Sequence, residues 1–313
     1  MTDTASSGGA TGSSGPTETA ASAAPSVVLS RSPALAPLLA RGALRSPFKR
    51  PRPQAPYPRT RLTLPSVRAD PARLAAYARV CGFAPGADTL PVTYPHVLGF
   101  PLAMRLMSGA DFPLPLLGLV HTSIDVTRHT ATPASGTYEL TVHVVGLAAH
   151  RRGTEAVVGT ELRAGGEVVW ASTSTYLARH RTDGTDATAT PGSASASEGP
   201  GEPLPEVDRW VLPGDLGRRY GAASGDRNPI HLHPLSARLF GFPRAIAHGM
   251  WTVARCLAAH DVPETALIKA RFLAPVLLPG EVVHAADGTG RFALRTPDGR
   301  RTHLTGEVLP PPA

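Results

Sequence analysis

Residues 220–251 read YGAASGDRNPIHLHPLSARLFGFPRAIAHGMW. Small residues from Gly221 to Ser224 lead into Gly225 and Asp226, and five positions after Asp226 stands His231. Pro229 fixes its own φ and biases Asn228 towards an extended backbone, so the segment is stiff. It holds a carboxylate and an imidazole at a set separation, as general acid–base chemistry requires of two proton-handling groups acting on one substrate. An isolated Ser-Gly-Asp would be read more simply as a turn capped by its own aspartate. Asn228, Pro229 and His231 beside it make Asp226 and His231 a candidate catalytic pair.

Taken together, Tyr220, Ser224-Gly225-Asp226, Asn228-Pro229-Ile230-His231 and Ala237 after a five-residue gap resemble the hydratase signature of the MaoC-like (R)-specific enoyl-thioester hydratases and dehydratases. Ile246-Ala247-His248-Gly249-Met250 resembles the approach to that family's central helix. The resemblance covers residues 60–313 and implies an α+β double hot-dog fold, two curved antiparallel sheets each wrapping a central helix. It also implies reversible hydration of a trans-2-enoyl thioester to the (R)-3-hydroxyacyl product, without metal or redox cofactor. Asp226 and His231 would hold one water between them, and which of the two moves which proton stays open. Gly249 would offer its N–H to the thioester oxygen, while Asn228, Ser224, His248 and Met250 would line the substrate side. The thioester carrier, coenzyme A or acyl carrier protein, stays open too.

Three other readings compete. A hot-dog thioesterase would hydrolyse the thioester, and the intact Asp-x-Asn-Pro-x-His loop argues against it. A noncatalytic acyl-binding module would bind without turnover. A metal site could be assembled from Asp226, His231, His233 and His248, although their spacing follows no ligand pattern.

Around this stretch, 313 residues are enough for two ordinary domains or two halves of a repeat. Apolar residues make up 42%, aromatics 5%, and the 33 prolines and 31 glycines cluster in tails and connections. Two distant cysteines, Cys81 and Cys256, suggest neither a disulfide framework nor a metal knuckle, which fits a reducing cytoplasm. No run of apolar residues is long enough for a membrane span, and Met1 to Pro25 has neither the basic nor the apolar region of a secretory signal. A cytoplasmic monomer or homodimer is expected.

The net charge of +7 invites a nucleic-acid reading. Residues 41–61, however, hold Arg41, Arg45, Lys49, Arg50, Arg52, Arg59 and Arg61 with no acid, which equals the whole excess. The charge is local, no nucleic-acid motif accompanies it, and a solvated arm is the simplest expectation.

The expected organisation is a disordered, Pro- and Arg-rich arm over 1–58 with a short helix within 33–45, a degenerate hot-dog over 59–180 that opens on an edge strand at 62–64, a linker over 181–206 and a catalytic hot-dog over 207–313. Asp70, Pro71 and the spacing of Leu74, Tyr77, Ala78 and Cys81 predict a helix over 71–81. An apolar helix is predicted within 94–107, and strands over 116–125, 138–147, 156–163 and 167–177. In the second unit a helix is predicted over 249–259, with strands over 266–273, 281–287 and 302–308.

The two units align. Tyr77 to Phe83 matches Tyr220 to Asp226, and His96 stands where His248 stands. Fourteen positions separate Gly82 from His96, against twenty-three between Gly225 and His248, so the first unit lacks the Asn-Pro-Ile-His loop. Phe83 occupies the place of Asp226. The repeat is functionally asymmetric, and the apolar side chains between Tyr94 and Met107 are either core or the lining of an acyl tunnel.

Overall fold

The computed structural model describes residues 25–182 and 203–310. The low-complexity start and most of the expected linker lie outside these residues. The first half runs β1 (Ser26–Val28), α1 (Leu35–Arg45), β2 (Arg61–Val67), α2 (Pro71–Cys81), α3 (Tyr94–Met107), β3 (Val120–Arg128), β4 (Tyr138–His150), β5 (Gly153–Ala164) and β6 (Glu167–Arg179). The second runs β7 (Glu206–Leu212), α4 (Leu216–Ser224), α5 (Pro229–Leu232), α6 (Pro234–Leu239), α7 (Gly249–Leu257), β8 (Ala266–Phe272), β9 (Gly280–Ala286), β10 (Arg291–Arg295) and β11 (Thr302–Leu309).

The strands form one 11-stranded sheet in the order β1-β2-β4-β5-β6-β3-β8-β11-β10-β9-β7. Leaving out β1, each half repeats a single pattern: its first strand is outermost, its third, fourth and fifth follow, and its second meets the other half. The seam is the antiparallel pair β3–β8, in register from Ser123–Arg271 to Arg128–Ala266. In the first half α3 packs on β4 and β5; in the second α7 packs on β10 and β11. The architecture is the double hot-dog, with both helices on a continuous sheet.

The repeat is visible in local chemistry. Asp70 caps α2 by accepting the Arg73 N–H at 2.8 Å. Helices α2 and α4 each end on a glycine in the left-handed region, Gly82 and Gly225, both at φ 84°, where a Cβ would be strained. Across the halves the Tyr77 and Tyr220 rings lie 5.9 Å apart, and the Trp251 indole N–H donates to the Val80 carbonyl at 2.8 Å. The halves thus share one core.

Two expectations need correction. The arm expected to run free to residue 58 is built into the fold from residue 25. Strand β1 pairs in parallel with β2, so β2 is not the sheet edge, and Leu29 and Leu38 are buried in the core. The basic run is not simply solvated either. Arg41 donates to Ser108 Oγ at 3.1 Å and Arg45 to the Ser108 carbonyl at 3.2 Å. Lys49 Nζ donates to the carbonyls of Gly109, Ala110 and Phe112 at 2.9, 2.7 and 2.6 Å. These carbonyls lie just past the C-terminus of α3, where the helix dipole favours cations.

Candidate active site

The loop carrying Asp226 is held at both ends by its own side chains. Ser224 Oγ donates to the Tyr220 carbonyl at 2.9 Å and accepts the Asp226 N–H at 3.2 Å. Asp226 Oδ1 accepts the Asn228 N–H at 3.1 Å, and Asn228 Oδ1 caps α5 by accepting the Ile230 N–H at 3.4 Å. Pro229 opens α5, a single turn that carries His231. Helix α4 lies against this turn so closely that a Cβ on Gly217 would fall 1.9 Å from the His231 carbonyl oxygen.

The His231 Nδ1–H donates to the Ile246 carbonyl at 2.8 Å. A carbonyl can only accept, so this bond fixes the proton on Nδ1 and leaves Nε2 as a lone-pair acceptor in neutral imidazole. Ile246 is itself anchored, its N–H donating to the Ile230 carbonyl at 3.1 Å. Two residues on, His248 donates from Nε2 to the Asp226 carbonyl at 2.9 Å and stacks on His231 with ring centroids 3.7 Å apart.

Asp226, His231 and His248 therefore meet, one ligand-type atom of each lying within 4.8 Å of the others. His233 does not join them: its Nδ1 accepts the Leu235 N–H at 3.2 Å and caps α6 in an exposed position. His248 gives its Nε2–H to the Asp226 carbonyl, so that nitrogen is not offered to a cation. Burial raises the Asp226 carboxyl, partly offset by His231 and the Asn228 N–H. Burial lowers His231, with Asp226 and the Ile246 carbonyl pulling the other way. Desolvation thus moves the two groups towards one another, the carboxyl upwards and the imidazole downwards, as suits a pair that trades protons.

Helix α7 begins at Gly249 with no side chain capping it. The first N–H groups of a helix lack internal partners and carry the positive end of its dipole. Gly249 also sits against Phe272, whose ring atoms would lie 3.0 and 3.1 Å from an added Cβ. In the first half His96 falls inside the first turn of α3, which starts earlier, at Tyr94.

All these groups open onto one cavity of about 990 Å³, lined by Ser224, Asp226, Asn228, His231, His248, Gly249 and Met250 together with first-half residues. The Asp226 side chain keeps 27% exposure into this space. Helix α3 serves both purposes open from its sequence: Val97, Phe100, Met104 and Met107 line the cavity, while Leu102 is fully buried in the core. The cavity is also lined by Tyr176, His121, Arg151, Arg152, Arg179 and Arg271, which nothing in the sequence singles out, and by His96, marked there only as the counterpart of His248. Tyr176, His121 and Arg271 come from β6, β3 and β8, which pair although far apart in the chain, and His96 comes from the first turn of α3.

A family profile described as MaoC like domain matches residues 197–303. The 3-hydroxyacyl-thioester dehydratase X of Mycobacterium tuberculosis is 36% identical over 256 residues, which span 80% of this chain and 89% of that protein. The peroxisomal enoyl-CoA hydratase 2 of Arabidopsis thaliana is 40% identical over 67 residues, 19% of this chain and 21% of that one. The crystal structure of HtdX from M. tuberculosis superposes with a TM-score of 0.68 at 34% identity, covering 79% of this chain and 98% of that one. A MaoC-like dehydratase from Phytophthora capsici shares the fold, with a TM-score of 0.60 at 19% identity over 80% of this chain and 94% of its own. By its loop, its fold and these likenesses, the chain belongs to the family of MaoC-like, hot-dog-fold dehydratases.

Proposed function

We propose that this chain is a hydro-lyase that reversibly adds water across a trans-2-enoyl thioester to give the (R)-3-hydroxyacyl thioester. The observation that carries the reading is the His231 Nδ1–H donated to the Ile246 carbonyl, which leaves Nε2 free beside the Asp226 carboxylate on the cavity wall. Asp226 and His231 hold one water. Its oxygen adds to C3, one proton leaves it to the pair and one passes from the pair to C2. The pair therefore ends with as many protons as it began, and it titrates as a unit. The Gly249 N–H, at the positive end of α7, stabilises the negative charge that develops on the thioester oxygen. Ser224 and Asn228 hold the loop, and His248 fixes the Asp226 carbonyl.

The chain divides its labour between halves. Residues 207–313 carry the dyad, and residues 59–180, without the Asn-Pro-Ile-His loop, give room for the acyl chain through α3. The four arginines on the cavity wall support a phosphate-bearing carrier, coenzyme A or the phosphopantetheine of an acyl carrier protein. Such a reaction serves fatty-acid or related lipid and polyketide metabolism. Cys81 and Cys256 are both free and buried, which supports a reducing, cytoplasmic setting. Among the described residues, no helix is long and apolar enough to cross a membrane.

The test follows loss of enoyl absorbance of crotonyl- and decenoyl-CoA, beside Asp226→Asn and His231→Ala. Loss of about 10²–10⁴-fold in kcat in each variant is expected for general acid–base groups. Release of free thiol in place of hydration would turn the reading to a thioesterase. Binding without turnover, on coenzyme A and carrier-protein substrates alike, would turn it to an acyl-binding module.

A further inference from the structure

The first-half wall of the cavity is apolar along α3, yet two imidazoles are set into it. His96 comes from the first turn of α3 and His121 from β3, and their rings lie 5.8 Å apart, 13° from parallel. His121 also stacks on Tyr176 at 4.5 Å and leans on Phe272, the ring that closes against Gly249, at 4.8 Å. Burial raises the Tyr176 phenol, and the Asp226 charge adds to the push. A row of rings thus leads from Tyr176 through His121 to His96.

Each imidazole keeps one nitrogen that has no partner inside the protein. His96 Nδ1 and His121 Nε2 are buried without a hydrogen-bond partner. His96 stands where His248 stands in the second half, but His248 holds the Asp226 carbonyl while the loop His96 would hold is missing. Burial keeps both rings below the ordinary histidine range, so they are neutral; His121 gives one nitrogen to a backbone hydrogen bond with Ser123 and has only Nε2 to offer, as an acceptor. A buried polar group left unpaired is costly, and an alkyl chain running past it relieves nothing. Phenylalanine or leucine would line the wall for a plain acyl chain without that cost.

We propose that His121 and His96 form a second polar subsite of the cavity, one that takes a hydroxyl or keto oxygen carried on the acyl chain beyond the reacting carbons. The subsite deepens the hydratase reading and rests on it for placing the acyl chain along this wall. A site built to hydrogen-bond a substrate oxygen discriminates strongly against the analogue that lacks it, because its own groups are then left unpaired.

The experiment compares trans-2-decenoyl-CoA with the same chain bearing one hydroxyl or keto group, moved carbon by carbon from the fifth position to the ninth. The quantity read is the ratio of kcat/KM for each oxygenated chain to that for the plain one. In parallel, calorimetry gives the ratio of Kd values for the matching saturated acyl-CoA esters, which needs no turnover. The expected result is one preferred position with a ratio of about ten or more. The preference should collapse in His121→Phe and His96→Leu and survive in His121→Gln, which keeps a donor and an acceptor. Loss shared equally by both substrates leaves the ratio unmoved and does not count as support. No preference at any position in either readout would overturn the subsite, leaving the imidazoles to water or to packing. A preference that persists in both apolar variants would overturn it as well. A Kd preference without hydration of any substrate would uphold the subsite while the hydratase reading falls.

Discussion

His231 and His248 stack with ring centroids 3.7 Å apart and planes 26° from parallel, at the point where α7 begins. Two imidazolium ions cannot share that spacing at low cost, and burial lowers both rings, with His231 pushing His248 further down. His96 is pushed by burial from 6.5 to about 4. Each ring takes a proton more readily in the unfolded chain than in the fold. Their contribution to stability is therefore complete above about pH 6.5 and is lost as pH falls from there towards the lowered native values. The raised Asp226 carboxyl acts in the opposite sense, holding its proton better in the fold, and softens the loss at the acid end. The melting temperature should drop by several degrees between pH 7.5 and 5.5, at about 2–4 °C per kcal/mol for a chain of this class. The acid limb of kcat/KM should have its midpoint below pH 6.5. A flat melting profile with an activity midpoint at or above 6.5 would mean that these rings are hydrated and titrate freely.

Gly249 is tested by the contact it makes. A Cβ there would lie 3.0 and 3.1 Å from Phe272 ring atoms, so Gly249→Ala must push the ring or tilt the start of α7 by a few tenths of an ångström. If the Gly249 N–H holds the thioester oxygen, that tilt misplaces it, and kcat should fall by about tenfold to a hundredfold with little change in KM. Gly249→Ala combined with Phe272→Leu relieves the crowding and should recover most of the loss. A single variant with full kcat would remove Gly249 from the oxyanion role.

The loop that brings Asp226 and His231 together was legible because its signature is local. Asp226, Asn228, Pro229 and His231 are close in sequence, and the loop fixes its own geometry with Asx-type bonds that do not depend on the rest of the fold. The α2 helix, with its Asp70 cap and its Gly82 stop, was legible for the same reason. The segments α4 and α6 were not. Gly221 to Ser224 read as a small or flexible lead-in, yet they belong to α4, where a Cβ on Gly221 would meet the Asp226 carbonyl oxygen at 2.7 Å and one on Gly217 the His231 carbonyl oxygen at 1.9 Å. Strand β7 was also missed, since its outward Val207 and Val211 break the expected alternation with acidic and basic neighbours at the sheet edge. The cavity wall of Tyr176, His121 and His96 comes from β6, β3 and α3, and no pattern within any one of these elements marks it as a wall.

Gly217 offers a direct measure of the α4–α5 approach. A Cβ at this position would meet the His231 carbonyl oxygen at 1.9 Å and its carbon at 2.9 Å. Backbone cannot yield as a flexible side chain can, so Gly217→Ala should cost more than about 2 kcal/mol, at the upper end of overpacking effects. Gly214→Ala, whose Cβ would meet only the Pro279 ring at 3.6 Å, is the control and should stay within about 0.5 kcal/mol. Urea denaturation reads both. Equal midpoints would show that the two helices have room to separate.

Lys49 separates a structural from a solvated reading of the basic run. Its ammonium donates to three carbonyls just past the end of α3, and Arg41 and Arg45 reach the same turn through Ser108. Arg61, further along, pairs with Glu161 at 2.9 Å. Part of the local charge excess is therefore spent on closing a helix end that forms one wall of the cavity. Lys49→Met keeps the aliphatic stem and removes the donors, leaving carbonyls without partners, and should destabilise the fold by about 1–3 kcal/mol. Arg50→Ser, in the same run without such acceptors, should change stability by less than about 0.5 kcal/mol. The kcat of the dyad should be indifferent to both. If the two variants unfold at the same urea concentration as the parent, the run is a solvated arm after all, and its charge is free for a phosphate-bearing partner.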